Sequence, residues 1–251
     1  MFQGSLFYTK RVSIALLFFV GFIVNIKAQE SNSFVDQVWF QYYNKSNFSE
    51  KWSLSTDMGY RLKEGSFVDV SQYFIRSGLG YQISPSFRVL LGGAIFKTHS
   101  SWDVRTIEYR PYQQLSSKHK FGKISFGNRF RIEQRFINNT SDNSFSFNSY
   151  NFRFRYRFLF NIPLVTLSKK DPNKKLNLVI GDEIIFSTSK TEFFDFDAQN
   201  RILMGPSVKI NKNNTFFVLI NFTSVTKDLP QISDEYGVLW VGYKQTLNFI
   251  K

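Results

Sequence analysis

The chain has 251 residues, no cysteine and a formal net charge of +13. That excludes a disulfide-stapled secreted module and any thiolate metal site, and a mean hydropathy of −0.23 excludes a bundle of transmembrane helices. Aromatic residues make up 18%, with 30 phenylalanines, an unusual load for a chain whose apolar and charged fractions are otherwise ordinary.

The N-terminus carries the one long apolar run. Lys10 and Arg11 precede VSIALLFFVGFIVN (12–25), and a small residue follows at Ala28. A basic flank, a short apolar stretch and a small residue describe a secretory signal peptide, and the run is shorter than the roughly 20 residues a spanning helix needs. We therefore expect residues 1–28 to be a signal peptide cleaved after Ala28, and 29–251 to form one exported domain. Cleavage removes Lys10, Arg11 and Lys27 and no acid, so the exported part stays strongly basic and suited to anionic partners.

From there the pattern is period two, the signature of strands with one apolar and one polar face. Val38, Phe40 and Tyr42 alternate with Gln37, Trp39 and Gln41. WSLSTDMGYRL (52–62) sets Trp52, Leu54, Met58, Tyr60 and Leu62 against Ser53, Ser55, Asp57, Gly59 and Arg61. Tyr73 to Ile83 follows, then Phe87 to Ile95 with Gly92-Gly93 inside it, then Asp103 to Leu115 and Phe126 to Arg135. The cleanest case is NFRFRYRFLF (151–160), with Phe152, Phe154, Tyr156, Phe158 and Phe160 on one face and Arg153, Arg155 and Arg157 on the other. Candidates over 176–187, 198–211, 215–225 and 236–249 complete the series.

These segments mostly reach ten residues or more. A sandwich strand averages about 5–6, whereas a tilted membrane-spanning strand needs about 9–11. The expected fold is an all-β, transmembrane, antiparallel up-and-down β-barrel with lipid-facing aromatics and a polar, Arg/Glu-rich lumen. Eleven candidates are visible, yet bacterial single-chain barrels use even numbers. The expectation is thus 10 or 12 strands: either SFSFNSY (144–150) hides one more, or the first segment lies outside the wall. Connections alternate between turn-like pieces (SPS, SSKHKFGK, SKKDPNKK, NKNN) and generally longer ones. This is the layout of periplasmic turns and surface loops, and it puts the C-terminus in the periplasm.

The polar faces assign the lumen. Arg76, Arg88, Arg110, Arg129, Arg131, Arg135, Arg153, Arg155, Arg157 and Arg201 confront few acids: Asp57, Glu108, Glu133 and Glu183. Gln114 shares that face. Such an interior either favours anions in an open pore or closes into a salt-bridged plug, as narrow barrels tend to be filled by side chains. Arginine–carboxylate pairs across strands would be bidentate and would pin register.

The segments EYRPYQQL (108–115), GNRFRIEQRF (127–136), FRFRYRF (152–158), GDEIIF (181–186) and QNRILMG (199–205) resemble an outer-membrane β-barrel family of unknown function, domain-of-unknown-function family 2490. The resemblance spans roughly residues 34–250. It implies an exported, porin-like barrel of Bacteroidetes-type bacteria and no particular activity. Asn128 stands where the family pattern has histidine, which puts a role for that position in doubt.

Catalytic signatures are sparse. His99 lies at a strand end near Ser100, Ser101 and Asp103, and His119 lies in the basic turn SKHK; solvated loop histidines are the expected reading of both, since triads assemble in space. No cofactor or zinc site is expected, there is no phosphate-loop or dinucleotide fingerprint, and nucleic acid is not expected because arginine and aromatic side chains fall on opposite faces. The expected partners are outer-membrane lipid, lipopolysaccharide and the barrel-insertion machinery, with any protein partner unknown. Three functions stay open: a small anion-favouring passive channel, a closed structural or binding barrel, and an outer-membrane hydrolase or acyltransferase.

Overall fold

A computed structural model describes residues 35–63, 69–100, 103–140, 149–188, 196–226 and 233–250. Residues 1–28, read above as a signal peptide, lie outside it, as do 144–148 of SFSFNSY, whose last two residues, Ser149 and Tyr150, open β7.

Eleven strands follow one another: β1 (Gln37–Asn47), β2 (Trp52–Lys63), β3 (Val70–Gln82), β4 (Phe87–Ser100), β5 (Asp103–Phe121), β6 (Ile124–Asn139), β7 (Ser149–Thr166), β8 (Lys175–Thr188), β9 (Phe196–Lys209), β10 (Asn214–Thr226) and β11 (Ser233–Asn248). Every alternating segment of the sequence is one of them. They form a single closed barrel in which each strand pairs antiparallel with its sequence neighbour.

The seam corrects the strand count. Among the described residues the barrel has eleven strands, neither 10 nor 12, and β1 belongs to the wall. An odd number of up-and-down strands leaves the first and last pointing the same way, so β1 and β11 pair in parallel, from Gln37↔Val238 to Asn47↔Asn248. The evenness rule fails because parallel hydrogen bonding closes a ladder as well, with only slightly less stability per residue. The same parity puts the start of β1 and the end of β11 at opposite rims. Asp36 is tied to Gly237 at one rim, its N–H donating at 2.9 Å and its Oδ2 accepting at 2.7 Å. At the other rim Phe249 N–H donates to the Asn47 carbonyl at 2.9 Å.

The turn at the β5–β6 corner is shorter than its polar sequence suggests. β5 runs to Phe121, and only Gly122 and Lys123 separate it from β6. Gly122 has φ of 58°, a left-handed conformation that glycine adopts without steric cost. His119 is consequently on a strand, edge-on to Phe87 with ring centroids 5.9 Å apart. His99 is also on a strand, edge-on to Tyr73 at 5.3 Å. Neither is the loop residue expected. Prolines fall where the ladder is broken: Pro163 adjoins a register shift in β7, and the β5–β6 register skips Pro111.

Trp52, Met58, Tyr60, Tyr73, Ile75, Leu79, Leu91, Phe130, Tyr156, Ile202 and Met204 all project outward and are exposed. Along β7, Tyr150, Phe152, Phe154, Tyr156, Phe158 and Phe160 form an aromatic row, with neighbours stacked, as Phe152–Phe154 at 6.3 Å, or edge-on, as Phe158–Phe160 at 6.2 Å. Several polar exceptions are paired: Gln113 with Gln134, Asn128 with Tyr156, and Asp182 with Asn200 at 3.0 Å. Leu62, expected outward with its neighbours, is instead buried, beside the register shift at Arg61/Leu62.

The interior is not uniformly polar. Trp39, Val179, Leu203, Phe217, Leu219, Val238 and Trp240 form a buried apolar cluster on β1 and β8–β11. Trp39 meets Trp240 edge-on at 5.8 Å, as does Phe217. Glycines make room for these inward side chains. A Cβ at Gly242 would stand 2.1 Å from the Phe217 ring, and one at Gly92 would stand 2.7 Å from Tyr112, so Gly92 marks a close approach while Gly93 faces open space.

Candidate functional site: the charged lumen

Strands β5–β9 bring most of the predicted site residues into one network. Because side chains alternate, Glu108, Arg110 and Gln114 on β5 share the inner face with Arg129, Arg131, Glu133 and Arg135 on β6. They also share it with Arg153, Arg155 and Arg157 on β7, Glu183 on β8 and Arg201 on β9. Register sets the rows: Arg157 lies opposite Glu183, and Glu183 opposite Arg201.

The network can be followed atom by atom. Arg135 donates to Glu108, and Arg110 donates Nε and Nη2 to the two oxygens of the same carboxylate, both at 2.7 Å. Arg110 also approaches Glu133 at 3.6 Å. Glu133 receives Arg131 at 3.4 Å and Arg155 at 3.1 Å. Arg155 then bridges to Glu183 at 2.7 Å, and Glu183 further receives Arg129 and, at 3.6 Å, Arg201. A separate bidentate pair joins Arg76 to Asp57, with Nε–Oδ1 at 2.9 Å, and Gln41 donates to the same Asp57 at 2.7 Å. The best bidentate contact of the lattice, Arg110–Glu108, lies within one strand, whereas the cross-strand contacts are mostly single bonds from several guanidiniums to one carboxylate. Glu133 and Glu183 are both 2% exposed, the least accessible charged groups of the lattice.

Several arginines also take partners other than acids. Arg131 donates Nε and Nη2 to Gln114 Oε1 at 3.0 and 2.7 Å and lies over the Tyr112 ring. Arg153 donates to Ser187 at 2.9 Å, and Arg88 donates to Ser53 and Ser55. Arg61 lies 4.0 Å over the Trp39 ring. Among the described residues, Arg61, Arg153 and Arg157 form no ion pair with a carboxylate.

Two chambers lie to either side of the lattice. The first, of about 460 Å³, is lined by residues such as Thr98, Thr106, Ile137, Gln199 and Val225, near the strand ends that lead into the β4–β5, β6–β7, β8–β9 and β10–β11 connections. Its wall holds Arg61, Arg76, Arg110, Arg129, Arg135, Arg153, Arg155, Arg157 and Arg201, with Glu108 the one acidic residue, and Trp39, Phe96, Tyr236 and Trp240 beside them. The second, of about 380 Å³, lies toward the short turns and is lined by Lys45, Asp57, Arg88, Tyr112, Gln114, Arg131 and Lys244, among others. Tyr43, Arg129 and Arg157 line both and stand between them.

Sequence reasoning missed Tyr43, Trp240 and Tyr112 as lumen residues. The signal of Trp240 was weak, because β11 carries apolar residues on both faces, whereas alternation with Gln41 on β1 and with Glu108, Arg110 and Gln114 on β5 could have placed Tyr43 and Tyr112 inward. Of the residues near His99 in sequence, Ser101 and the Ser100 side chain lie outside the described residues; β4–β5 pairing sets His99 opposite Val104, and its ring packs on Tyr73. Among the described residues, no three His, Cys, Asp or Glu side chains gather as metal ligands would.

A family profile described as "Protein of unknown function (DUF2490)" matches residues 36–225, taking in β1 to almost the end of β10 and stopping short of β11. Among solved structures, LpxR from Salmonella typhimurium is similar with a TM-score of 0.43 at 11% identity, over 79% of this chain and 83% of that one. A likeness of that degree transfers no function. No curated protein matches.

Proposed function

We infer, from the premise that the chain belongs to the DUF2490 family of proteins of unknown function, that it is an outer-membrane β-barrel whose lumen is shut by its own side chains and which acts by binding rather than by conduction. The apolar outer face supports the membrane assignment. Exposed Leu91 (65%), Ile202 (52%) and Leu79 (48%) belong to a girdle of large exposed apolar side chains, and a large exposed apolar surface marks a site of membrane or protein contact. Strands of 11 to 19 residues are long enough to cross a bilayer. Asp182 is the costly exception on that face, and its pairing with Asn200 reduces the cost.

The observation that carries the closed reading is the lattice. Four carboxylate residues, Asp57, Glu108, Glu133 and Glu183, are held by seven arginines in the middle of the lumen, and the two chambers meet only where Tyr43, Arg129 and Arg157 line both. A conducting pore needs sites weak enough to leave, whereas multiply bonded guanidiniums are fixed. The test is conductance of the purified, refolded barrel in planar bilayers. The expected result is no steady current, with heat-modifiable gel mobility confirming the fold and membrane fractionation placing the protein in the outer membrane. A steady anion-selective current would favour the channel instead.

A further inference from the structure

We propose that the chamber on the longer-connection side of the lattice is a binding site for a phosphate ester of about monosaccharide size. The inference rests on the closed-barrel reading above and names the ligand class that the barrel would hold.

The chamber offers donors in excess of acceptors. Nine arginines line it against the single carboxylate of Glu108, and that carboxylate is already taken by Arg110 and Arg135. The Nε atoms of Arg61, Arg129, Arg155 and Arg201 and the indole Nε1 of Trp240 are buried without a hydrogen-bond partner. Buried donors are nearly always satisfied, and five unsatisfied donors against one unsatisfied acceptor, Gln72 Oε1, on residues that line one cavity mark a wall short of acceptors. A phosphate group carries several strong acceptor oxygens, and guanidinium forks match them bidentately. Arg61 and Arg153 add guanidiniums that form no ion pair with a carboxylate of the lattice.

Size and shape add the rest. A phosphate ion alone would leave most of about 460 Å³ empty, while small-molecule sites span roughly 300–1,000 Å³. Beside the guanidiniums the lining carries Trp39, with Arg61 over its ring, and Tyr236 and Trp240, so the fitting ligand has an anionic head and a less polar body. A simple inorganic anion fits the charge and not the aromatic side chains. The second chamber is lined partly by Asp57, Gln114 and serines and does not show this excess of unpartnered donors.

The experiment uses the full mature barrel in detergent, checked for folding by heat-modifiable mobility, with titration calorimetry as the readout. Glucose 1-phosphate is expected to bind and glucose is not, and the affinity should fall steeply with added salt. The double variant Arg61→Gln/Arg153→Gln strands no carboxylate of the lattice and should weaken binding about tenfold or more. Arg88→Gln, in the other chamber, should leave it unchanged. Competition by dihexanoyl phosphatidic acid would point to a lipid headgroup as the source of the phosphate, and its absence to a soluble ester; either result upholds the site. No binding of glucose 1-phosphate up to roughly 10 mM overturns the proposal, as does binding that the double variant leaves untouched. A non-conducting barrel that ignores the phosphate ester sinks only this inference. A conducting barrel sinks the closed reading, whatever the calorimeter shows.

Discussion

The two walls of the lumen use opposite means to fill the same space. On β5–β9, guanidiniums and carboxylates hold one another in a lattice in which each glutamate serves two or three arginines. On β1 and β8–β11, tryptophan, phenylalanine and aliphatic side chains pack with little polar content. The apolar wall gains from contact in proportion to buried area. The charged wall gains only while every partner is present, because a buried ion left alone costs more than the pair contributed. One wall should therefore fail gradually on truncation and the other abruptly.

The sharpest break is expected from Glu183→Gln, which removes the shared partner of Arg129, Arg155 and Arg201. Loss of about 3–5 kcal/mol is the expected outcome, read as a lower midpoint for loss of the heat-modifiable band. Added phosphate should recover part of it by supplying the missing acceptors. Phe217→Ala on the apolar wall should cost about 3 kcal/mol through the cavity it leaves, and phosphate should stabilise it no more than it stabilises the unchanged protein. An equal response of both variants to phosphate would erase the distinction drawn here.

Glycine substitutions make a finer test. A Cβ at Gly242 meets the Phe217 ring, and one at Gly80 meets the Arg88 guanidinium, each at 2.1 Å. The ring has neighbours on its other side and little freedom to yield, so Gly242→Ala should cost about 1–3 kcal/mol. Arg88 is a long side chain held by two serine hydroxyls, so Gly80→Ala should cost less than about 1 kcal/mol. Smallest of all, Arg61→Gln removes a cation–π contact to Trp39 and no ion pair, with a loss of about 0.5–1 kcal/mol in the same melting assay.

Where each strand lies, and which face of it turns inward, was legible wherever alternation was clean. FRFRYRF fixes Arg153, Arg155 and Arg157 on one face with no structural help, and EYRPYQQ does the same for Glu108 and Arg110. The apolar wall was not legible. In TFFVLINF (215–222) both faces are apolar, so period two cannot tell Phe217, which is buried inside, from Phe216, which is exposed outside. His119 was misplaced for a related reason: a polar composition reads as a turn, whereas β5 runs on through it to Phe121.

The sequence by itself determined an all-β chain of long strands with arginines on one side and aromatics on the other, because side-chain alternation is a local property of extended backbone. Only the tertiary structure decided that eleven strands close through a parallel seam and that Glu133 and Glu183 each gather three arginines. It alone placed tryptophans beside the arginines that line one chamber. Those features depend on register between distant segments and on closure of the ladder, and neither is written in the spacing of residues along one strand.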